Sequence, residues 1–368
     1  MKNSITIAVG CVLLTACTHA PATLKDALAG KFLIGTALNI PLIEGTDTLG
    51  VAVVRQHFNA IVPENCMKSM FLQPEEGRFF FDEADAYVAF GEANKMWVTG
   101  HCLVWHSQAP QWLFVDKNGN DVSREVLIER MRTHITTVVS RYKGRIKGWD
   151  VVNEAIMDDG TWRPSKFYQI IGEDFIPLAF QFAHEADPDA ELYYNDYSTA
   201  IPAKCEGIAK VVKAIQGKGL RIDAVGMQGH LTMEFPSVEQ FEASLLAFSA
   251  LGVKVMVTEL DLTVLPSPHN FSGADVSANF DFQQELNPYV DSLPAAVALV
   301  HQNRYVDFFK LFLKHQDKVT RVTLWGVSDR DSWRNGFPIP DRTDYALLFD
   351  RSYQAKPVVE EIVRAAKQ

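Results

Sequence analysis

Two glutamates stand in matching settings, each at the end of a short apolar run. Glu154 closes Gly148-Trp-Asp-Val-Val-Asn-Glu154, and Glu259 sits in Val255-Met-Val-Thr-Glu259-Leu-Asp-Leu262. Runs this rich in β-branched residues read as buried strands. A carboxylate is rarely buried unless something holds it there. Two of them, 105 positions apart (259 − 154), suggest strand ends that converge on one site. The chemistry that uses a facing pair of carboxylates is glycoside hydrolysis. Other polar and flat side chains cluster at the ends of similar runs: Glu64, Asn65 and Lys68; His101, Trp105, His106 and Gln108; Asn153; Asn195, Asp196 and Tyr197; Gln228 and His230; Asp261; Trp325 and Trp333. Amides and carboxylates suit sugar hydroxyls, and indoles suit the apolar faces of pyranose rings.

Eight strand-like runs carry these residues: 32–38, 59–64, 97–104, 148–153, 191–195, 224–229, 254–258 and 321–325. Helix-like stretches lie between them, including 123–141, 165–186, 202–217, 238–250 and 302–315. Their apolar residues recur at helical spacing, as with Phe241, Leu245 and Phe248. Ser123 and Ser165 suit N-caps, and Gly217 and Gly219 suit helix ends. Strand then helix, eight times, predicts a closed parallel (β/α)8 barrel of the TIM type. No linker or repeat interrupts it, so a single catalytic domain over 31–368 is expected. In such a barrel the C-terminal strand ends carry the chemistry. Two stretches exceed the usual short connections: 265–299, with four prolines, and 332–344. Long loops of this kind usually carry function.

The 368 residues are 47% hydrophobic, enough for a large core, with a formal net charge of −10. That acidity disfavours nucleic acid and anionic surfaces as partners. Residues 1–16 read as an export signal: Lys2 is a short positive region, and 5–14 is apolar but too short to span a bilayer. Leu14-Thr15-Ala16-Cys17 looks like a bacterial lipobox, with Cys17 the lipidated terminus and 17–30 a tether. A membrane would then be met only through that lipid anchor; an ordinary signal peptide with a chance cysteine would instead leave the protein secreted or periplasmic. Three cysteines remain. None has a C-x-x-C neighbour, and no H-E-x-x-H appears, so neither metal nor cofactor is expected. Cys66 and Cys102 both lie near strand ends, where a disulfide is geometrically possible, although such cysteines are more often small buried hydrophobes.

Taken together, the motifs resemble glycoside hydrolase family 10, the endo-β-1,4-xylanases, over about residues 32–362. The pieces are Val62-Pro-Glu-Asn-Cys-Met-Lys68, Gly100-His-Cys-Leu-Val-Trp-His106, Trp149-Asp-Val-Val-Asn-Glu-Ala155, Tyr194-Asn-Asp-Tyr197, Gly226-Met-Gln-Gly-His230, Thr258-Glu-Leu-Asp261 and Leu324-Trp-Gly-Val-Ser-Asp-Arg-Asp-Ser-Trp333. Each alone is weak, and their order makes them specific. The resemblance implies retaining hydrolysis of xylan and xylo-oligosaccharides; separately, a monomer is expected. Glu259 would be the nucleophile and Glu154 the acid/base, about 5–5.5 Å apart. His230 would lie between Glu259 and Asp261, and Asn153 would contact the 2-hydroxyl of the reacting sugar.

The same resemblance places Glu64, Asn65, Lys68 and Gln108 on the non-reducing side. It puts His101, Trp105, Gln228, Trp325 and Trp333 around the reacting sugar. Asn195, Asp196 and Tyr197 read as a capped turn, with Tyr197 evenly balanced between that and sugar contact. A tight indole wall would reject the hydroxymethyl arm of glucose. Trp97, Trp149 and Trp162 read as scaffold, His106 and His134 as structural, and Asp150 as packing or a salt bridge. The 265–299 loop is expected to shape the leaving-group side. Departures from the family pattern are Cys66, Cys102 and Ser198. Two other readings remain: a β-1,4-glucanase or mixed-specificity relative, and a catalytically inactive carbohydrate-binding barrel, which the intact Glu154, Glu259, Asn153 and His230 argue against.

Overall fold

The computed structural model describes residues 22–268 and 280–368. Its strands are β1 (Leu33–Leu38), β2 (Ala60–Pro63), β3 (Trp97–Trp105), β4 (Gly148–Asn153), β5 (Glu191–Asp196), β6 (Ala224–Met227), β7 (His230–Leu231), β8 (Lys254–Leu262) and β9 (Val319–Leu324). Every pairing between them is parallel. The order runs β6-β5-β4-β3-β2-β1-β9-β8, and β8 returns to β6 to close an eight-position barrel. Beyond Gly229 the two-residue β7 extends the sixth position, setting His230 opposite Asp261 on β8. This is the expected (β/α)8 barrel.

Apolar strand residues and the inner faces of the helices merge into one core, in which Ile34, Val98, Val152, Leu192, Val257 and Val322 are buried. Trp149 fills space beside β3, as its scaffold reading required. A Cβ at Gly100 would lie 2.1 Å from the Trp149 ring, so only glycine lets the strand pass the indole on its way to His101. Serine side chains cap the helices that the sequence marked: Ser123 accepts from the Val126 amide, Ser165 from that of Tyr168, and Ser237 forms a capping box with Gln240.

Several boundaries differ from the sequence expectation. The helix read over 165–186 is two helices, Lys166–Ile171 and Phe175–Ala186, because Gly172 adopts φ +81° and ends the first. Strand β8 continues four residues past 258, which puts Glu259 and Asp261 inside the strand. The helix expected from 302 begins at Ala295. Its first turns carry the exposed Leu299 and Val300, which hid the amphipathic period and lengthened the apparent loop. Of that loop, 269–279 lies outside the described residues, as do the signal 1–16 and Cys17.

The expected tether 17–30 also needs correction, since folding starts before residue 31. Helix Leu24–Ala27 is capped by Thr23, Leu24 and Leu28 are fully buried, and Lys25 donates to the carbonyl of Arg55. Cys66, Cys102 and Cys205 are all free and buried, so the disulfide alternative for Cys66 and Cys102 is replaced by the reading as small core residues.

Candidate active site

The C-terminal strand ends surround a cleft of about 140 Å³, lined by Glu64, Asn65, Lys68, His101, Trp105, Gln108, Asn153, Glu154, His230, Glu259, Trp325 and Trp333. One water needs roughly 10–15 Å³ by this measure, so the cleft has the size of a ligand site. All twelve were singled out in the sequence. Strand irregularities fall where the side chains are aimed. The β4 register shifts between Asp150 and Val152, and the β8–β9 register shifts between Val257 and Leu260. Glu154 itself has φ +58°, an uncommon conformation for a non-glycine residue. It is held by its amide donating to the Asn195 carbonyl and by its own carbonyl accepting from Arg163 Nε at 2.7 Å.

Glu154 is buried among neutral donors. Trp105 Nε1 donates to Oε2 at 2.8 Å, while Gln228 Nε2 and Asn153 Nδ2 donate to Oε1 at 2.9 and 3.2 Å. Burial raises its pKa to about 6, helped by the negative charges of Asp196 and Glu259 and opposed by the bonds from Gln228 and Trp105. Glu259 is equally buried but faces different company. His230 Nε2 lies 3.2 Å from Oε2, and Asn195 Nδ2 donates to Oε1 at 2.7 Å. Burial pushes this carboxyl up too, yet the His230 hydrogen bond, the neighbouring imidazoles of His101 and His230, and the Asn195 amide outweigh it. Its pKa lies below the ordinary value.

Behind His230 sits Asp261, fully buried, with Oδ2 2.9 Å from Nδ1. Burial works against a charged imidazole, but Asp261 and Glu259 raise the His230 pKa to about 9. Burial likewise disfavours the Asp261 anion, but Arg334 and His230 lower its pKa to about 2. An amide bridge links the two glutamates. Asn195 Nδ2 also donates to Asn153 Oδ1 at 2.9 Å, and its Oδ1 accepts from the Thr258 hydroxyl at 2.6 Å.

On another wall, Lys68 Nζ donates to Asn65 Oδ1 and Gln108 Oε1, each at 2.9 Å, and lies 4.9 Å from the centre of the Trp105 ring. His101 Nδ1 lies 2.9 Å from Asp150 Oδ2, so Asp150 holds this ring in place. That leaves Nε2 available to the cleft. Trp325 packs with Ala37, Val62 and Trp333 in a small cluster apart from the main core.

Asp261 stands behind His230, which lies between it and Glu259 as expected. Two expected residues stand elsewhere. Gln228 turns onto Glu154 rather than onto the cleft wall. Tyr197 is no wall residue: its ring covers Lys204 Nζ at 3.2 Å, and its hydroxyl accepts from Arg163. The chain turns inward there, where Ser198 takes φ +49°. The sequence reading missed three others. Asn195, read as a capped turn, is the amide bridge, and strand alternation with Tyr193 and Tyr194 was its signal. His106, read as structural, has Nδ1 3.9 Å from Glu154 Oε2. Arg334 had no signal beyond adjacency to Trp333. Among the described residues no His, Cys, Asp and Glu group could hold a metal ion.

Two carboxyls shifted in opposite directions within one cleft serve a reaction that needs an acid and an anion together, and with the barrel around them they define a barrel glycoside hydrolase. The chain belongs to glycosyl hydrolase family 10, whose family model matches residues 23–365. It is 55% identical over 342 residues to endo-1,4-beta-xylanase A of Xylanibacter ruminicola, covering 93% of each chain. It is 39% identical over 349 residues to an endo-1,4-beta-xylanase of Geobacillus stearothermophilus, covering 94% of this chain and 99% of that one. Among solved structures, a GH10 endoxylanase retrieved from sugarcane soil metagenome superposes with TM-score 0.89 at 46% identity, covering 93% of this chain and 99% of that one.

Proposed function

We propose that this chain is an endo-1,4-β-xylanase that cleaves internal bonds of xylan with retention of configuration. The observation that carries the reading is the pair of equally buried glutamates pushed in opposite directions within one cleft, in a chain whose relatives bear the endoxylanase name. Glu259, ionised, attacks the anomeric carbon. Glu154, protonated, gives its proton to the leaving oxygen as the glycosidic bond breaks. The resulting ester carries no charge at Glu259. Because that charge helps keep the proton on Glu154, its loss favours ionised Glu154 as the base for the second step. Water then gives a proton to Glu154, adds to the anomeric carbon and frees Glu259.

Asn153 lines the cleft beside Glu154 and serves the 2-hydroxyl. Glu64, Asn65, Lys68 and Gln108 hold the glycone. Trp325 and Trp333 form the wall that discriminates against glucose. The enzyme acts as a monomer. Hydrolysis of unbranched xylan by wild type, Glu154→Ala and Glu259→Ala, with products resolved by size and the first-formed anomer read by NMR, tests this. Retained short xylo-oligosaccharides from wild type alone support the reading. A folded wild type that yields none opposes it, and β-glucan would be the next substrate.

We further propose export and lipid attachment at Cys17, supported by Leu14-Thr15-Ala16-Cys17. Among the described residues no helix is long and apolar enough to cross a membrane. Detergent partitioning of wild type and Cys17→Ala tests the anchor: the variant should move to the aqueous phase, and identical partitioning would oppose the proposal.

A further inference from the structure

The Asp261 carboxylate has every acceptor position filled. Oδ2 is approached by His230 Nδ1 at 2.9 Å and accepts from Trp333 Nε1 at 2.7 Å. Oδ1 accepts from Arg334 Nη2 at 2.9 Å and Nε at 3.2 Å. The same guanidinium lies 4.7 Å from the centre of the Trp333 ring, which stacks on Phe337 at 4.9 Å. One side chain therefore touches both the anion behind the nucleophile and the indole on the sugar wall. We propose that Arg334 is a positioning residue that ties the charge state of Glu259 to the placement of Trp333. The proposal rests on the reading of Glu259 as nucleophile and Trp333 as wall.

The physical reason is the competition for one proton in a buried His–Asp pair. An imidazolium facing a carboxylate in a low-dielectric site can neutralise both by passing its proton across. A guanidinium stays charged at any working pH, and here two of its N–H groups converge on one carboxylate oxygen, Oδ1. On Oδ1 it makes protonation of Asp261 unfavourable, so the proton stays on His230. Nε2–H of His230 then points a charged donor at Glu259. Without Arg334, that proton would pass from Nδ1 to Asp261, and a neutral His230 would offer Glu259 an uncharged Nε2–H in place of an imidazolium.

The charged neighbours are few. Asp261 is faced by His230, Arg334 and the buried Tyr305 from helix Ala295–Lys314. Glu259 is faced by His230 and His101, with Lys68 and Glu154 across the cleft. Arg334 also feels Asp344 and Arg342. Among these, Arg334 supplies the guanidinium contact to Asp261.

The test follows the His230 imidazole by NMR through a pH titration, beside kcat/KM profiles on aryl xylobioside and aryl cellobioside. In Arg334→Gln, the His230 titration should fall and the acid limb of kcat/KM should rise by about one unit, a tenfold change in the equilibrium. Preference for the xyloside should drop several-fold as Trp333 loosens. Arg334→Lys keeps the charge but not the fork, so it should restore the acid limb and leave the preference reduced. A folded Arg334→Gln with an unmoved His230 titration and acid limb overturns the proposal. If that variant does not fold, Arg334→Lys decides: full wild-type preference overturns the link to Trp333. A wild type that cleaves neither glycoside sinks the xylan reading, while the NMR titration still decides whether Arg334 governs His230.

Discussion

Glu154 and Glu259 are almost equally buried, at 4% and 5% exposure, face one cleft and share an amide bridge, yet their acidities diverge. Around Glu154 the donors are an indole and two neutral amides, and the charge that acts most strongly on it is the anion Asp196. Around Glu259 the donors are an imidazole backed by an anion and a guanidinium, plus one amide. Burial alone would raise both. The difference teaches that the charge type one contact away decides which carboxyl keeps its proton.

Removing either carboxyl gives the largest expected effect. Glu259→Ala should lower kcat on xylan by at least about 10⁴-fold, more than a lost proton-transfer contribution alone. Azide should rescue it with inverted product. Glu154→Ala should lose about 10²–10⁴-fold on xylan but far less on an aryl xyloside whose leaving group needs no proton. Equal losses on both substrates would reverse the assignment. Next comes His230→Gln, which removes the charged donor to Glu259. Its kcat/KM should fall by about 10²-fold, with the acid limb displaced upward, and an unmoved limb would separate His230 from the Glu259 charge.

A smaller effect sharpens the same contrast through stability. The folded-state pKa of Glu154 is raised, so its proton is retained longer in the folded protein. Relative to a neutral side chain it costs nothing below the ordinary value of 4.5, and its cost grows as pH rises through about 6. The difference, about 1.5 units, is roughly 2 kcal/mol at neutral pH. Glu154→Gln should therefore stabilise the protein at pH 7 by about 1–2 kcal/mol, with the gain vanishing near pH 4. Glu259 has the opposite sign. Its folded-state pKa is lowered, so it contributes stability above the ordinary carboxyl range that is lost as pH falls. Glu259→Gln should lower the melting temperature at pH 7. Shifts of the same sign in the two variants would break the comparison. Smallest is the wall: Trp325→Ala should narrow the xyloside-to-glucoside ratio by about 10-fold, and an unchanged ratio would place discrimination elsewhere.

Much of this site was legible because a parallel barrel turns strand ends into neighbours. Glu154, Glu259, His230 and Asp261 each follow an apolar run, and a period of two puts Glu259 and Asp261 on one face. What stayed hidden depended on rotamers and local turns. Gln228 has the right place for a wall residue, yet its amide turns onto Glu154. Tyr197 lies one residue past β5, where the positive φ of Ser198 turns the chain inward and puts the ring on Lys204. Arg334 sits on a one-turn 3₁₀ helix, Trp333–Asn335, and no periodicity could announce it. Likewise Gly172 split a helix whose apolar spacing ran through it, while exposed Leu299 and Val300 disguised the start of another as loop. The described part of the stretch 265–299 bonds to the stretch after β9, with Asn287 accepting from the Thr343 amide and Tyr345 donating to the Tyr289 carbonyl.

The central claim is that two equally buried carboxyls in one cleft are kept in opposite protonation states. Carboxyl-carbon NMR of the folded wild type, with resonances assigned through Glu154→Gln and Glu259→Gln, measures this directly. The expected result is a Glu154 titration near pH 6 and a Glu259 titration below the ordinary glutamate value. Both carboxyls titrating together, or Glu259 above Glu154, would contradict the account.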